Sequence, residues 1–197
     1  MLWSILICTL ESRRDQFQSL HEDLVSQIKE NNLEEEIEIL FFEDDKDFPV
    51  GIKRNSLVEA ATGKYISFID DDDKVSNTYV KQIYDIIKYN DVDCIGIIGL
   101  LISRVLGNKQ FIHSLKYKEY SEDDKYYYRP PNHLNPIKRE KILDFKFPYV
   151  NFGEDADWAM KICKAGVLKT EVLITDILYY YHFDYATTET QRREVVK

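Results

Sequence analysis

Disulfide staples, flexible linkers and membrane-length apolar runs are all missing from this chain of 197 residues. Its three cysteines, Cys8, Cys94 and Cys163, show no C-x-x-C spacing, and each sits in an apolar pattern. They read as buried thiols in a reducing compartment rather than as a disulfide framework. Glycine occurs seven times and proline five times, with no Gly- or Ser-rich linker and no internal repeat. No apolar run reaches the roughly 18 residues that span a bilayer. The apolar opening, residues 1–10, has no basic n-region and no small-residue cleavage site, so a secretory signal is not expected. A soluble, cytoplasmic protein without a membrane span is the expectation. Positive charge is also short: 26 lysines and arginines face 35 aspartates and glutamates, for a formal net charge of −9. That balance speaks against nucleic acid as a partner, because such proteins displace counterions with a positive surface. It leaves room for a local basic pocket around a phosphate.

What is present is an α/β pattern. With 44% hydrophobic and 31% charged residues, the chain has the balance of a globular protein, and its length suits one domain with one large core. Over residues 1–100, short β-branched runs alternate with helical patterns, the signature of βαβ units around a mostly parallel sheet. Residues 2–8, 36–42, 64–69 and 92–99 read as strands. Phe17, Leu20, Leu24 and Ile28 recur at spacings of three and four, so the segment carrying them is a helix with one apolar face. A second helix over 52–62 should end at Gly63 through positive φ. Ser76 is placed to cap a third, in which Val80, Ile83, Tyr84 and Ile87 share a face.

The second half differs in texture. Residues 109–128 are polar and rich in tyrosine, an exposed hairpin or loop. Arg129-Pro130-Pro131-Asn132-His133 must be an extended turn, since two prolines exclude a helix. Asn135-Pro136 reads as an N-cap with proline at the first helical position. Another helix is expected over 154–164, between Gly153 and Gly166, and the apolar runs 168–174 and 177–181 should finish the sheet. Residues 184–197 form a polar tail.

Four carboxylates, Asp70-Asp71-Asp72-Asp73, follow directly on the buried-strand pattern of Ile66, Phe68 and Ile69. The C-terminal end of a strand is where ligands bind in open α/β sheets. On an extended chain Asp70 and Asp72 would converge on one side, with Asp71 and Asp73 on the other. Four like charges repel, and a hard cation such as Mg²⁺ or Mn²⁺, bridging to phosphate oxygens, would remove that cost. A solvated turn is the plain alternative. Lys53 and Arg54 lie at an expected helix N-terminus, which attracts anions such as a pyrophosphate, although such a pair is commonly just surface. Glu154, Asp155 and Asp157 open a helix, where acids favour the macrodipole whatever the function; a carboxylate there is also placed to take a proton from a hydroxyl. His182 ends the last apolar run, as a cap or a metal ligand.

Taken in order, these features resemble the GT-A nucleotide-sugar glycosyltransferases, particularly the large inverting family numbered two. The matching residues are Thr9, Glu11 and Arg13; Glu43-Asp44-Asp45; Lys53-Arg54-Asn55; the stretch from Gly63 through Asp73; and Gly153-Glu154-Asp155. The resemblance implies a single-domain, Rossmann-like GT-A fold, with residues 1–100 as the nucleotide-binding half and 101–183 as the acceptor half. It implies transfer of a sugar from a nucleoside diphosphate, UDP by preference, to a carbohydrate or protein acceptor, with inversion. Thr9 and Glu11 would lie by the nucleoside, Arg13 would also bind the donor, and Asp44 or Asp45 would read the base. Lys53, Arg54, Asn55 and Asp71 would face the donor. Asp70 and Asp72 match the metal-binding D-x-D that puts Mn²⁺ or Mg²⁺ on the diphosphate, His182 matches a histidine seen on that metal in part of the fold, and Asp155 matches the catalytic base. The chain departs from the family at residues 132–138, where many members carry a Gly-rich loop and this sequence has no glycine.

Two other readings fit parts of the pattern. Asp70-x-Asp72 after a strand is superficially similar to an aspartate-nucleophile phosphatase, but those enzymes place the motif on an early strand, and here two βα units precede it. A domain that only binds a nucleotide sugar is the other; it would bind donor and never transfer or hydrolyse the sugar.

Overall fold

The computed structural model describes residues 1–183, so the polar tail expected at 184–197 lies outside the described residues. In chain order the elements are β1 (Trp3–Leu10), α1 (Arg14–Glu30), β2 (Ile37–Asp44), α2 (Val50–Ala60), β3 (Tyr65–Phe68), β4 (Lys74–Val75), α3 (Tyr79–Tyr89) and β5 (Cys94–Ile102). They continue with β6 (Lys109–His113), β7 (Ser121–Glu122), β8 (Tyr126–Arg129), β9 (Ile137–Lys138), α4 (Glu154–Ala165) and β10 (Glu171–His182).

The side-chain alternation of β1 explains the layering. Trp3, Ile5 and Ile7 face one way, into a core shared with Phe17, Leu20 and Leu24 of α1 and Val80, Ile83 and Ile87 of α3. Leu6 faces the other way, into a second core with Leu57 and Val58 of α2 and Trp158 and Ile162 of α4. Helices therefore cover both faces of one mixed sheet. β1 pairs in parallel with β2 and β3, while β9 runs antiparallel between β3 and β5. β5 then pairs with β6, and β6 in parallel with β8. The segment after β3 thus stands near the middle of the sheet, at strand C-terminal ends.

Several local expectations change. α2 ends at Ala60 with Ala61 extended, and Gly63 is not among the positive-φ glycines. Its glycine is required by close approach instead: a Cβ there would stand 2.6 Å from the backbone nitrogen of Ser4. Ser76 makes no side-chain cap to α3, whose N-cap is Thr78; the Ser76 carbonyl accepts from the Tyr79 amide and from Gln27. No helix starts at Asn135-Pro136. The Asn135 amide group donates to the buried carbonyl of Ile95, and the chain enters β9 and a short 3-10 turn, Arg139–Lys141. The two last apolar runs form a single strand, β10, which absorbs register shifts between Leu173 and Tyr179 against β5. Within residues 109–128 lie β6, β7 and the start of β8. Of the cysteines only Cys94 is buried; Cys8 and Cys163 are half-buried. The helix expected over 154–164 is α4, with Gly153 and Gly166 both left-handed at φ +75° and +61°.

Candidate active site

The acidic run is not extended. The Asp73 amide donates to the Asp70 carbonyl at 3.1 Å, so the four residues make a turn and the expected two-by-two alternation does not hold. All four line one open cavity of about 860 Å³. Asp71 accepts from Thr9 Oγ1 at 2.8 Å and from Arg13 Nη1 at 2.9 Å, and the same Arg13 atom lies 3.3 Å from Asp72. Asp70 is held by Arg54 Nη2 at 3.1 Å, with His133 Nε2 at 3.4 Å from its second oxygen. Asp73 accepts from the Tyr179 hydroxyl at 2.8 Å and from the His182 amide at 3.0 Å.

These partners set the ionisation of each carboxylate. Burial opposes ionisation of Asp70, yet His133 and Arg54 beside it hold its pKa well below the usual carboxylate range. Burial pushes Asp71 up, against Arg13 and Thr9. Burial and the neighbouring Asp70 push Asp72 up to about 6, with Arg13 opposing and Asp71 adding to the rise. Burial, Asp70 and Asp72 push Asp73 well up.

Of the residues singled out from the sequence, Thr9, Arg13, Lys53, Arg54, Asp70, Asp71, Asp72 and Asp155 line this cavity. Asp44 is buried behind it and receives Lys53 Nζ at 2.7 Å, while the same ammonium donates to the Thr9 carbonyl. Asn55 turns away to exchange two hydrogen bonds with the backbone of Phe147, both 2.9 Å. Glu11, Asp45 and the His182 side chain are exposed and are not among the cavity's lining residues. Sequence reasoning passed over His133, which is buried and stands between the acidic turn and α4, its Nδ1 3.7 Å from Asp155. Arg129, named in the sequence only as part of an extended turn, lines the cavity as well, together with Glu154 of α4 and Tyr120 and Tyr127 of the tyrosine-rich stretch. The Pro-Pro pair was the available signal: it fixes an extended path that carries the following side chains inward.

The donor set can be tested against a divalent cation. Asp72 is a carboxylate whose burial, and then its negative neighbours, resist its ionisation, the situation that a cation relieves. No three His, Cys, Asp or Glu side chains among the described residues form a ready metal cage. A magnesium-type ion held by one or two carboxylates plus substrate phosphates needs none. Asp72, with Asp70 beside it, fits that mode.

A pH response follows from Asp72. Below its ordinary value of 3.8 it is protonated in both folded and unfolded chains, and up to about 6 only the folded chain keeps the proton. Rising pH through that window therefore withdraws stability. In metal-free buffer, thermal melts from about pH 4 to about pH 6.5 should fall more steeply for the wild type than for Asp72→Asn. Parallel slopes would contradict this account of the turn.

Comparison with known proteins agrees with the geometry. No curated protein sequence matches the chain. Among solved structures, residues 1–349 of S. aureus TarS in complex with UDP-GlcNAc superpose with a TM-score of 0.62 at 14% identity, covering 93% of this chain and 59% of that one. The same protein with UDP gives 0.63 at 14% identity, covering 94% and 61%. The catalytic domain of Drosophila β1,4-galactosyltransferase 7, in complex with xylobiose, gives 0.59 at 12% identity, covering 98% and 75%. At such identities the likeness is one of fold, and the chain spans about three fifths of the TarS fragment. The sequence profile described as "Glycosyl transferase family 2" matches residues 22–160. That span runs from α1 into α4 and holds the acidic turn, His133 and Asp155, and by this match the chain belongs to glycosyl transferase family 2.

Proposed function

We propose that the cavity takes a nucleoside-diphosphate sugar, with UDP as the nucleotide, and transfers its sugar with inversion to a hydroxyl of a carbohydrate or protein acceptor. The observation that carries the reading is the meeting, in one cavity, of the acidic turn, Arg13 and Arg54, and the half-buried Asp155. The UDP and UDP-GlcNAc complexes of TarS, on the same fold, support the choice of donor.

Asp155 lies in the first turn of α4, where the helix macrodipole favours a carboxylate. It takes the proton of the acceptor hydroxyl as that oxygen bonds to the anomeric carbon, and the bond from that carbon to the diphosphate oxygen breaks on the opposite face. The leaving nucleotide keeps the electron pair. Arg13 and Arg54 stand at the turn where its negative charge grows. Mn²⁺ or Mg²⁺, held by Asp72 with Asp70, would neutralise the diphosphate. His133 lies against both Asp70 and Asp155, tying the donor side to the base.

Isothermal titration of UDP tests the reading. Affinity should be at least about tenfold higher with Mn²⁺ or Mg²⁺ than with chelator, because the cation offsets the charge of the turn. Asp72→Asn should lose most of that gain. UDP affinity that is equal with and without metal would overturn the metal-assisted donor site.

A further inference from the structure

Several strands from β1 in the sheet order, β8 ends in Arg129, whose side chain lines the same cavity. Its guanidinium carbon is 4.7 Å from the ring centroid of Tyr120 and 5.5 Å from that of Tyr127, and both tyrosines line the cavity too. The other lining arginines are committed, Arg13 to Asp71 and Asp72, Arg54 to Asp70 and Glu154. Arg129 differs from them. Among the described residues no carboxylate lies within 4.0 Å of it, and its side chain makes no hydrogen bond.

The residue paired with it on β6 adds no negative charge. His113 stands at the register position of Arg129 and is buried. Burial, and then Arg129 itself, push His113 down to about 3, so it is neutral at ordinary pH. Aromatic faces hold a guanidinium through its π surface and leave the in-plane N–H groups to a planar or tetrahedral oxyanion. A neutral hydroxyl can also accept from those groups, but a charge-assisted pair is about twice as strong.

We infer that Arg129, braced by Tyr120 and Tyr127, is a recognition site for an anionic group, a carboxylate or a phosphate, carried by the acceptor. The inference rests on the donor reading above for its division of the cavity. Arg13 and the acidic turn occupy the nucleotide side, and Arg129 comes from the later part of the chain, where the acceptor would enter. A uronic sugar on the donor offers the same chemistry from a second source.

Ligand-observed NMR titrations on protein saturated with UDP and Mn²⁺ test it, using glucose, glucuronate and glucose 6-phosphate as acceptor-side probes. UDP-glucose and UDP-glucuronate are compared in a separate donor arm. The charged acceptor probes should bind at least about tenfold more tightly than glucose, as for a charge-assisted contact. Arg129→Gln should erase that preference, and Arg129→Lys should keep part of it. A preference confined to UDP-glucuronate over UDP-glucose would overturn the acceptor assignment and give the anion to the donor sugar. If wild-type protein binds UDP but shows no charge preference, the inference fails and the nucleotide reading stands. If UDP itself does not bind, the nucleotide reading fails, and the same three probes titrated alone still decide for or against Arg129. An equal loss of charged and neutral probes in Arg129→Gln would mark a packing role. Should that variant not fold, the wild-type preference and Arg129→Lys carry the test.

Discussion

Asp155→Asn is expected to lower turnover by about 10²–10⁴-fold, the usual cost of removing a general base, while UDP affinity stays within a few-fold. Three acids share the first turn of α4, and their partners separate them. Glu154 is buried and committed to Arg54, its Oε1 3.4 Å from Nε. Asp157 is exposed and pairs with Lys161 at 2.6 Å. Asp155 alone of the three both lines the cavity and has, among the described residues, no ion-pair partner nearer than His133, at 3.7 Å. Asparagine keeps the shape and a polar group at the helix N-terminus, so the fold should not register the change. Product formation and UDP affinity measured on the same preparation check the prediction. Turnover within tenfold of wild type in a folded Asp155→Asn would place the base elsewhere, and Glu154 would be the next residue to test.

The layers of this fold were legible because β1, α1 and α3 bury their faces by simple periodicity: Trp3, Ile5 and Ile7 at period two, Val80, Ile83 and Ile87 at helical spacing. The acidic turn stood out because four carboxylates after a buried strand have few structural uses. Where one residue type serves two physical ends, the reading slipped. Glycine is demanded by positive φ and equally by close backbone approach, and Gly63 is the second case. Asparagine before proline caps helices, yet Asn135 spends its side chain on the Ile95 carbonyl inside the sheet. The turn at Asp70 is not legible in the sequence, because the hydrogen bond that the Asp70 carbonyl accepts from the Asp73 amide leaves no mark in composition. His133 was hidden for a different reason. Its partners, Asp70 and Asp155, lie far from it in sequence on either side, and it reaches the acidic turn through a long-range backbone contact, the Phe68 amide at the end of β3 donating to the His133 carbonyl.

Arg54→Leu should cost about 3–5 kcal/mol of stability, as expected when one member of a buried ion pair is removed and the other is stranded. Arg54 is only 5% exposed, and its guanidinium sits 5.1 Å from the ring centroid of Phe68 and 5.6 Å from that of Phe147. Burial alone would discourage its charge; Asp70 and Glu154 outweigh that and hold it protonated. Leucine fills much of the aromatic slot but leaves both carboxylates without this cation, Asp70 with His133 and Glu154 with no other ion pair among the described residues. Burial already pushes Glu154 up, with Arg54 opposing, so losing the arginine raises it further. A carboxylate raised in the folded state takes up its proton as pH falls, which relieves the stranded charge. The destabilisation should therefore be largest at neutral pH and shrink in mild acid. Arg54→Lys keeps a charge but not the fork that reaches two carboxylates, and should fall between the two. Arg54→Leu combined with Glu154→Leu should recover part of the loss, because an apolar pair avoids the desolvation penalty. Urea denaturation at constant m-value checks all three. A loss below about 1 kcal/mol for Arg54→Leu at neutral pH, the range of exposed pairs, would mean that this arginine does not hold the acidic turn against α4.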